Sequence, residues 1–132
     1  MNAPDSTLRP SAVRLRRQSR VVELEYADGE QYSLDWEYLR VQSPSAEVRG
    51  HHPSQAVLQT GKKNVAVTEL RPVGHYALQI VFDDGHDTGL YSWEYLHALC
   101  REREQRWADY LAALDKAGAS RDPDEQVLHF QP

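Results

Sequence analysis

The sequence predicts an α+β fold: a small antiparallel sheet built from two hairpin units, packed by one long C-terminal helix and a short helix. Three observations support this fold class. Residues 76–99 read in order as a strand, a tight turn, a short return strand and the start of a helix. Residues 24–39 show the same order. Residues 93–116 carry apolar side chains at alternating spacings of three and four, which is typical of an amphipathic helix.

The first predicted element is an edge strand over Val13–Arg17, where apolar and basic residues alternate. Charged side chains on an edge strand hinder pairing with another sheet. Residues 1–11 are rich in Pro, Ser and Asn, so we expect a disordered leader before this strand.

The first hairpin unit follows this edge strand. Arg20–Tyr26 predicts a strand that ends at the Asp28-Gly29 turn, and Gln31–Leu34 predicts the return strand. Asp35 precedes a short helix predicted at Trp36–Arg40, and its carboxylate is expected to cap that helix.

The second hairpin unit comes after another strand, predicted over Asn64–Val73. Residues 77–82 then alternate as a well-buried strand, and Asp84-Gly85 supplies the turn because glycine accepts the positive φ of a primed turn. Leu90-Tyr91 is the expected return strand. Ser92 is the expected N-cap of the long helix.

The two hairpin units are related in sequence. Both end in Trp-Glu-Tyr-Leu, at residues 36–39 and 93–96, and the second unit has one extra residue after its Asp-Gly. Two copies indicate a duplicated motif with one shared core, because a solenoid needs more repeats.

The long C-terminal helix is predicted over Trp93–Lys116, and Gly118 is its expected stop. Its apolar stripe contains Trp93, Leu96, Cys100, Trp107, Tyr110, Leu111 and Leu114, with Arg103 in the same register. Residues 118–132 are expected to form a disordered tail, which leaves 12–117 as the folded domain.

Residues 41–63, between the two units, show no strong pattern. A loop of this length inside a compact domain is usually functional or mobile. Pro44, after Ser43, is expected to start one helical turn that runs through Val48 and stops at Gly50.

Composition restricts the classes of function. Among 132 residues, 15 Lys and Arg face 20 Asp and Glu, so the net charge is −5 and nucleic acid is an unlikely partner despite five arginines within residues 9–20. The single cysteine, Cys100, excludes an internal disulfide and favours a reducing compartment. There is no apolar run of membrane-spanning length and no signal-peptide core, so we expect a cytoplasmic protein.

The six histidines are the first candidates for metal ligands, but no His-x-x-x-His or Cys-x-x-Cys spacing is present. Two interpretations stay open. An iron site of the two-histidine-one-carboxylate type could use His51 and His86 with Asp84 or Asp87. Alternatively, these are loop and turn histidines that only form hydrogen bonds.

Other catalytic patterns are weak. Cys100 lies on the apolar stripe, where a thiol is usually a small buried hydrophobe. Ser43, Ser45 and Ser54 lie in the loop, but the sequence indicates no base beside them. The aspartates of residues 83–87 lack the spacing of a calcium-binding EF-hand loop.

Four blocks, residues 36–41, 43–51, 58–62 and 82–96, resemble the gamma-butyrobetaine hydroxylase-like N-terminal domain family. The resemblance covers roughly residues 12–116. It implies a domain found in short bacterial stand-alone proteins, at the N-terminus of carnitine-pathway dioxygenases, and fused to P-loop iron–sulfur cluster carriers.

The dioxygenases of this family hold a structural zinc through Cys-x-Cys-x-x-Cys and one downstream histidine. The resemblance places these ligands at Ser43, Ser45, Val48 and His86, so only the histidine is present. Serine and valine cannot replace thiolates as zinc ligands, and we expect the dioxygenase-type zinc site to be lost. The separate catalytic domain carries a His-x-Asp motif that this sequence lacks, so the resemblance implies no hydroxylase activity.

We therefore expect a non-catalytic accessory or protein-interaction module without a cofactor, connected to iron or iron–sulfur metabolism by family analogy alone, with a protein partner. The alternative is a metal-binding protein, a sensor or weak metalloenzyme, that binds zinc or iron at His86 with His51 or His52. The expected binding surface combines loop and turn residues: Ser43, Ser45, Glu47, Arg49, His51, Asp84, His86 and Asp87.

Overall fold

The structure is a computed structural model that describes residues 8–50 and 52–123, apart from the side chain of Pro53. His51, residues 1–7 of the predicted leader and residues 124–132 of the predicted tail lie outside the described residues. Within that part of the chain, no helix is both long and apolar enough to cross a membrane.

The elements follow the order predicted from the sequence. The strands are β1 Ala12–Arg16, β2 Val21–Glu25, β3 Gln31–Asp35, β4 Val67–Val73, β5 Ala77–Phe82 and β6 Leu90–Ser92. The helices are α1 Trp36–Val41, α2 Ala46–Arg49, α3 Trp93–Arg101 and α4 Arg103–Ala117, and Pro53–Gln55 forms a short 3-10 helix.

The strands form two three-stranded antiparallel sheets, ordered β1-β2-β3 and β4-β5-β6. The predicted α+β class and the two hairpin units are confirmed. Each hairpin is joined by one preceding strand, so the duplication extends beyond the stretch visible in the sequence.

Equivalent hydrogen bonds relate the two units. The Trp36 amide donates to the Arg20 carbonyl, as the Trp93 amide does to the Tyr76 carbonyl, at 3.2 and 3.3 Å.

The tyrosines of the repeated Trp-Glu-Tyr-Leu each form a hydrogen bond to the other unit. The Tyr38 hydroxyl donates to the Leu99 carbonyl, and the Tyr95 hydroxyl donates to the Gln42 carbonyl. Because Gln42 and Leu99 occupy equivalent positions after the two tryptophans, these two bonds form a pseudo-symmetric pair.

Both units contribute to one apolar core, as the repeat predicts. Its side chains with less than 2% exposure include Val22, Leu24, Leu34, Tyr38, Leu39, Val67, Ile80, Tyr91, Leu96 and Leu99. Removing this much apolar surface from water is the main source of stability for the fold.

The helix ends depend on side-chain and backbone caps. Ser92 accepts the Tyr95 amide at 3.1 Å, so the predicted N-cap is confirmed. The prediction for Asp35 is wrong: its side chain caps nothing and instead accepts from Arg103 at 3.2 Å. Gly118 ends α4 with a left-handed φ of 63°, as predicted.

The long C-terminal helix consists of two segments separated at Glu102. Helical hydrogen bonding continues across that residue, since the Glu102 amide donates to Ala98 and its carbonyl accepts from Arg106. After α4, residues 119–123 lie against the loop between the units. Arg121 donates two 2.7 Å hydrogen bonds to Glu37, whose side chain is buried.

Candidate functional site

The loop after α1 has a defined conformation that its own sequence explains. The Ser45 hydroxyl caps α2 by accepting the Glu47 amide at 3.2 Å. The helical turn lies at Ala46–Arg49, two residues later than Pro44, where it was predicted to begin. Gly50 ends it as predicted, with a φ of 70° that favours glycine. The loop then folds back, and the Val57 amide donates to the Val48 carbonyl at 2.7 Å.

This loop packs against the turn of the second hairpin unit through buried polar side chains. The Ser43 hydroxyl lies 2.8 Å from His86 Nε2, and the Ser45 hydroxyl lies 2.7 Å from Thr88 Oγ1. Ser43, Ser45 and His86 are 0, 6 and 5% exposed. We call Ser43, Ser45, Glu47, His86 and Thr88 the Ser43–His86 cluster.

The hydrogen-bond pattern assigns the His86 tautomer. Glu47 Oε1 lies 3.3 Å from Nδ1, and because a carboxylate can only accept, a neutral His86 carries its proton on Nδ1. Nε2 then accepts from the Ser43 hydroxyl at 2.8 Å. Both ring nitrogens of a neutral His86 are therefore satisfied within the protein.

Electrostatics favour the neutral imidazole. Burial, with the Arg40 guanidinium nearby, holds the pKa of His86 below its ordinary value, although Glu47 and Asp84 act in the opposite direction. Partial burial opposes ionisation of Asp84. Nevertheless, hydrogen bonds from Lys62 and Arg40, at 2.7 and 2.9 Å, hold the pKa of that carboxyl below its ordinary value. A carboxylate and a neutral histidine thus lie side by side in the turn.

Gly89 allows the loop and the turn to approach each other. A Cβ at this position would lie 2.5 Å from Ser43 Oγ and 3.3 Å from both the Pro44 and Tyr91 side chains. The glycine is needed for close packing, since no left-handed backbone conformation requires it here.

The order Ser43, His86, Glu47 has the connectivity of a nucleophile, a base and an orienting acid. Sequence reasoning missed this pairing, because 43 residues separate the serine from the histidine. Ser43 is 0% exposed, however, and a nucleophile must reach a substrate atom. In this conformation the arrangement therefore supports the structure and does not present a reactive hydroxyl.

Three members of the cluster, Ser43, Ser45 and His86, occupy positions where the resemblance places zinc ligands, whereas the fourth position, Val48, lines the groove. Ser43 and Ser45 converge on the turn that carries His86, where a metal would otherwise join the two segments. Here hydroxyl hydrogen bonds make that connection instead. Among the described residues, no group of three His, Cys, Asp or Glu side chains is arranged to hold a metal ion.

The other predicted site residues differ in their surroundings. The side chain of Glu47 is 63% exposed, and Arg49 and Asp87 are also exposed. Asp84 is bound to Arg40 and Lys62. His52 is exposed, with Nδ1 2.9 Å from the Ser54 hydroxyl, and its predicted companion His51 is outside the described residues. The predicted loop and turn therefore meet, and their contact is made by the buried members.

The opposite side of the same loop forms an open groove of about 640 Å³ with the C-terminal helices. Its lining residues are Val41–Ser43, Val48–Gly50, His52, Ala56–Gln59, Tyr95, Arg106 and Tyr110. We call this cavity the groove. Apolar side chains alternate there with polar ones, which are Gln42, Ser43, Arg49, His52, Gln59 and Arg106.

Two arginines flank one aromatic ring of the groove. The guanidinium carbons of Arg49 and Arg106 lie 5.3 and 5.5 Å from the centre of the Tyr95 ring. Arg106 also bonds to Glu102 and Gln42, at 3.0 and 3.1 Å. Among the described residues, Arg49 forms no ion pair with a carboxylate. None of the described side chains lining the groove is acidic.

Sequence reasoning found Arg49 but missed Tyr95 and Arg106 as site residues. Both belong to the C-terminal helices, whose sequence pattern was explained by the apolar stripe alone. The one signal of a site in this region was Arg106, a charged residue next to the stripe residue Trp107. The sequence did not indicate that the loop would cover this part of the helix.

Cys100 lies outside the groove and is 6% exposed. Burial raises the pKa of its thiol to about 12, the main cause of the shift. A thiol in this environment is unreactive near neutral pH, which agrees with the sequence interpretation of a small buried hydrophobe.

Comparison with known proteins identifies relatives of similar length and fold. Residues 13–97 match the family described as gamma-butyrobetaine hydroxylase-like, N-terminal. Two protein structures solved by NMR are similar to the chain. One is 51% identical, covering 93% of this chain and 97% of the other, with a TM-score of 0.77. The second is 46% identical, covering 99% of both chains, with a TM-score of 0.76.

A crystal structure of a DUF971-family protein of unknown function from Acidithiobacillus ferrooxidans is also similar. It is 43% identical, covering 72% of this chain and 96% of the other, with a TM-score of 0.60. No curated protein matches the sequence.

Proposed function

The chain belongs to the gamma-butyrobetaine hydroxylase-like N-terminal family, and we propose that this member is a non-catalytic protein-interaction module whose partner binds in the groove. One observation carries the proposal. The chain has a net charge of −5, yet it exposes a groove that combines apolar side chains with two arginines and has no acidic side chain among its described lining residues. An exposed apolar surface rimmed by polar residues is typical of an interaction site.

The accessibility of the candidate nucleophiles supports binding rather than catalysis. Ser43 and Cys100, two of the candidate nucleophiles, are 0 and 6% exposed. Ser54 is exposed and lies 2.9 Å from His52 Nδ1, but no carboxylate among the described residues forms an ion pair with that histidine to orient it. Val57, by contrast, lines the groove and is 55% exposed. The accessible chemistry is therefore that of a recognition surface.

The Ser43–His86 cluster has a supporting role in this proposal. It fixes the loop from inside, and α2 of that loop carries Arg49 into the groove. Preorganising a loop reduces the entropy lost when a partner binds. The proposed partner class is the one that the resemblance implies, a protein of iron or iron–sulfur metabolism.

Site-specific photo-crosslinking in cells tests the proposal. A photoreactive phenylalanine analogue at Val57 should capture one reproducible partner, identified by mass spectrometry. The same analogue at Leu111, an exposed apolar residue outside the groove, is the matched control. Absence of a product at Val57, or identical products at both positions, would contradict the proposal.

Two substitutions test how the site is built. Arg49→Ala should abolish or weaken capture without changing the thermal stability, because Arg49 is exposed. His86→Ala should weaken capture through the loop while preserving the fold. A collapse of the fold in either variant would assign that residue a structural role instead.

A further inference from the structure

The charge of the groove defines the chemistry of what it accepts. Arg49, Arg106 and His52 line it, and none of the described lining side chains is a carboxylate. Arg106 forms an ion pair with Glu102, which is not among the described lining residues, whereas Arg49 forms no ion pair with a carboxylate among the described residues. The positive charge of the groove that is not neutralised is therefore that of Arg49, and it complements an anionic ligand.

Arg49 has more N–H donors available to a ligand than Arg106 has. Arg106 uses Nε and Nη1 for Glu102 and Gln42, which holds its guanidinium in place. The described residues provide no hydrogen-bond acceptor for the Arg49 guanidinium, which lies over the Tyr95 ring. A planar guanidinium with free donors binds a carboxylate through two parallel hydrogen bonds.

Beside Gln42, Ser43 and Gln59, the remaining lining of the groove is apolar and open. Val41, Val48 and Tyr110 are 6–7% exposed, whereas Ala56 and Val57 are exposed. The surface therefore extends from a covered floor to a solvent-exposed wall. Such an open surface fits an extended peptide better than a small metabolite, since small-ligand sites enclose most of their ligand.

We propose that the groove binds an acidic peptide segment of a partner protein, with an Asp or Glu carboxylate at Arg49 and Arg106 and a neighbouring aliphatic or aromatic side chain on the apolar floor. This inference rests on the proposed function and specifies its ligand. Arg49 contributes the main recognition contact. Arg106 supports it from a fixed position above the same aromatic ring.

Selection from a library of short random peptides displayed on phage, against the immobilised full chain, tests the inference. We expect enriched peptides with an Asp or Glu close to an aliphatic or aromatic residue. A synthetic peptide from this set should bind Arg49→Ala about tenfold more weakly than the unsubstituted chain. Its affinity should fall as salt concentration increases, because screening weakens the attraction.

Arg101→Ala is the matched control, since Arg101 is exposed on α3 and lies outside the groove. It removes the same charge and should leave the affinity unchanged. Enrichment of neutral or basic peptides, no enrichment at all, or an equal loss in both variants would overturn the inference.

The two proposals fail in different ways. If Val57 captures a partner but Arg49→Ala has no effect on that capture, the groove binds proteins without recognising an anion. If Val57 captures nothing, the proposed function itself is wrong, whatever the peptides show.

Discussion

The two hairpin units have equivalent strands and equivalent helix starts, but their turns differ in role. In the first unit the Tyr26 amide donates to the Glu30 carbonyl at 2.9 Å, and residues 27–31 are exposed. In the second, the Phe82 amide donates to the His86 carbonyl at 3.0 Å, and the His86 side chain is buried beneath the loop. The same hairpin geometry is thus a solvent-exposed turn in one unit and a docking point for the loop in the other.

The chain segments that follow the two short helices explain the difference. After α1 the chain leaves as the loop of residues 42–59, whereas after α3 it continues as α4. The loop lies between the second unit's turn on one side and α3 and α4 on the other. The groove therefore forms where the continuations of the two units meet, a place that neither unit provides alone.

Introducing thiolates at the positions that the resemblance aligns with zinc ligands should produce the largest change. In the triple variant Ser43→Cys, Ser45→Cys and Val48→Cys, together with His86, we expect a zinc site with a dissociation constant in about the nanomolar range or below. Three thiolates and an imidazole form a common tetrahedral zinc set, and Ser43 and Ser45 already lie at the turn. Competition with a zinc chelator measures the affinity.

The unsubstituted chain is the control for this titration and also tests the metal-binding alternative. We expect it to bind neither zinc nor ferrous iron stoichiometrically, because Ser43 and Glu47 engage both nitrogens of His86. Stoichiometric binding that depends on His86 with His51 or His52 would make metal binding the leading function. Failure of the triple variant to bind zinc would show that its three positions do not converge.

The next largest effect is expected from adding a methyl group at the contact between loop and turn. It should reduce the stability more than a methyl group added in the turn of the first unit. Gly89→Ala should reduce the free energy of unfolding by about 3 kcal/mol, since Cβ would overlap Ser43 Oγ. Gly29→Ala, in the turn of the first unit, has open space around Cβ but a φ of +93°, and should cost about 1–2 kcal/mol. Urea denaturation of both variants checks the order, and a larger loss for Gly29→Ala would contradict it.

The two pseudo-symmetric tyrosine hydrogen bonds should contribute unequally to the free energy of unfolding, because their acceptors differ in burial. Tyr38→Phe leaves the carbonyl of buried Leu99 without this donor and should cost about 2 kcal/mol. Tyr95→Phe affects the partly exposed Gln42 and should cost about 1 kcal/mol, while its ring still faces Arg49. Chemical denaturation measures both, and the reverse order would mean that burial does not control the difference.

What the sequence predicted and what it missed divide between local and long-range interactions. The hairpin turns, the Ser92 cap and the Gly118 stop depend on a few neighbouring residues, and they were predicted correctly. Asp35 failed as a cap because Arg103, 68 residues away, takes its carboxylate. The expected binding surface already combined the loop with the turn. The buried hydrogen bonds of the Ser43–His86 cluster and the groove, however, depend on contacts between distant segments, which periodicity cannot reveal. Serines and a histidine in polar stretches appear solvated until the fold places them together.

The titration of His86 should produce the smallest change in stability, and it compares the buried turn of the second unit with the exposed turn of the first. Burial and Arg40 lower the pKa of His86, so the unfolded chain binds more protons than the folded chain below the ordinary value of 6.5. Stability is therefore fully present above that pH and decreases as the pH falls below it. We expect the free energy of unfolding to fall as the pH decreases from about 6.5 to about 5, above the ordinary pKa values of Asp and Glu.

His86→Gln should flatten this pH dependence, because the glutamine amide can still bond to Ser43 but does not titrate. Glu30→His, at the equivalent position of the first unit, is the matched control. That turn is exposed, so an imidazole there is solvated in both the folded and the unfolded states and should add no comparable slope. If His86→Gln leaves the pH dependence unchanged, the loss of stability must come from other groups. If Glu30→His adds an equal slope, burial beneath the loop is not what distinguishes the second turn.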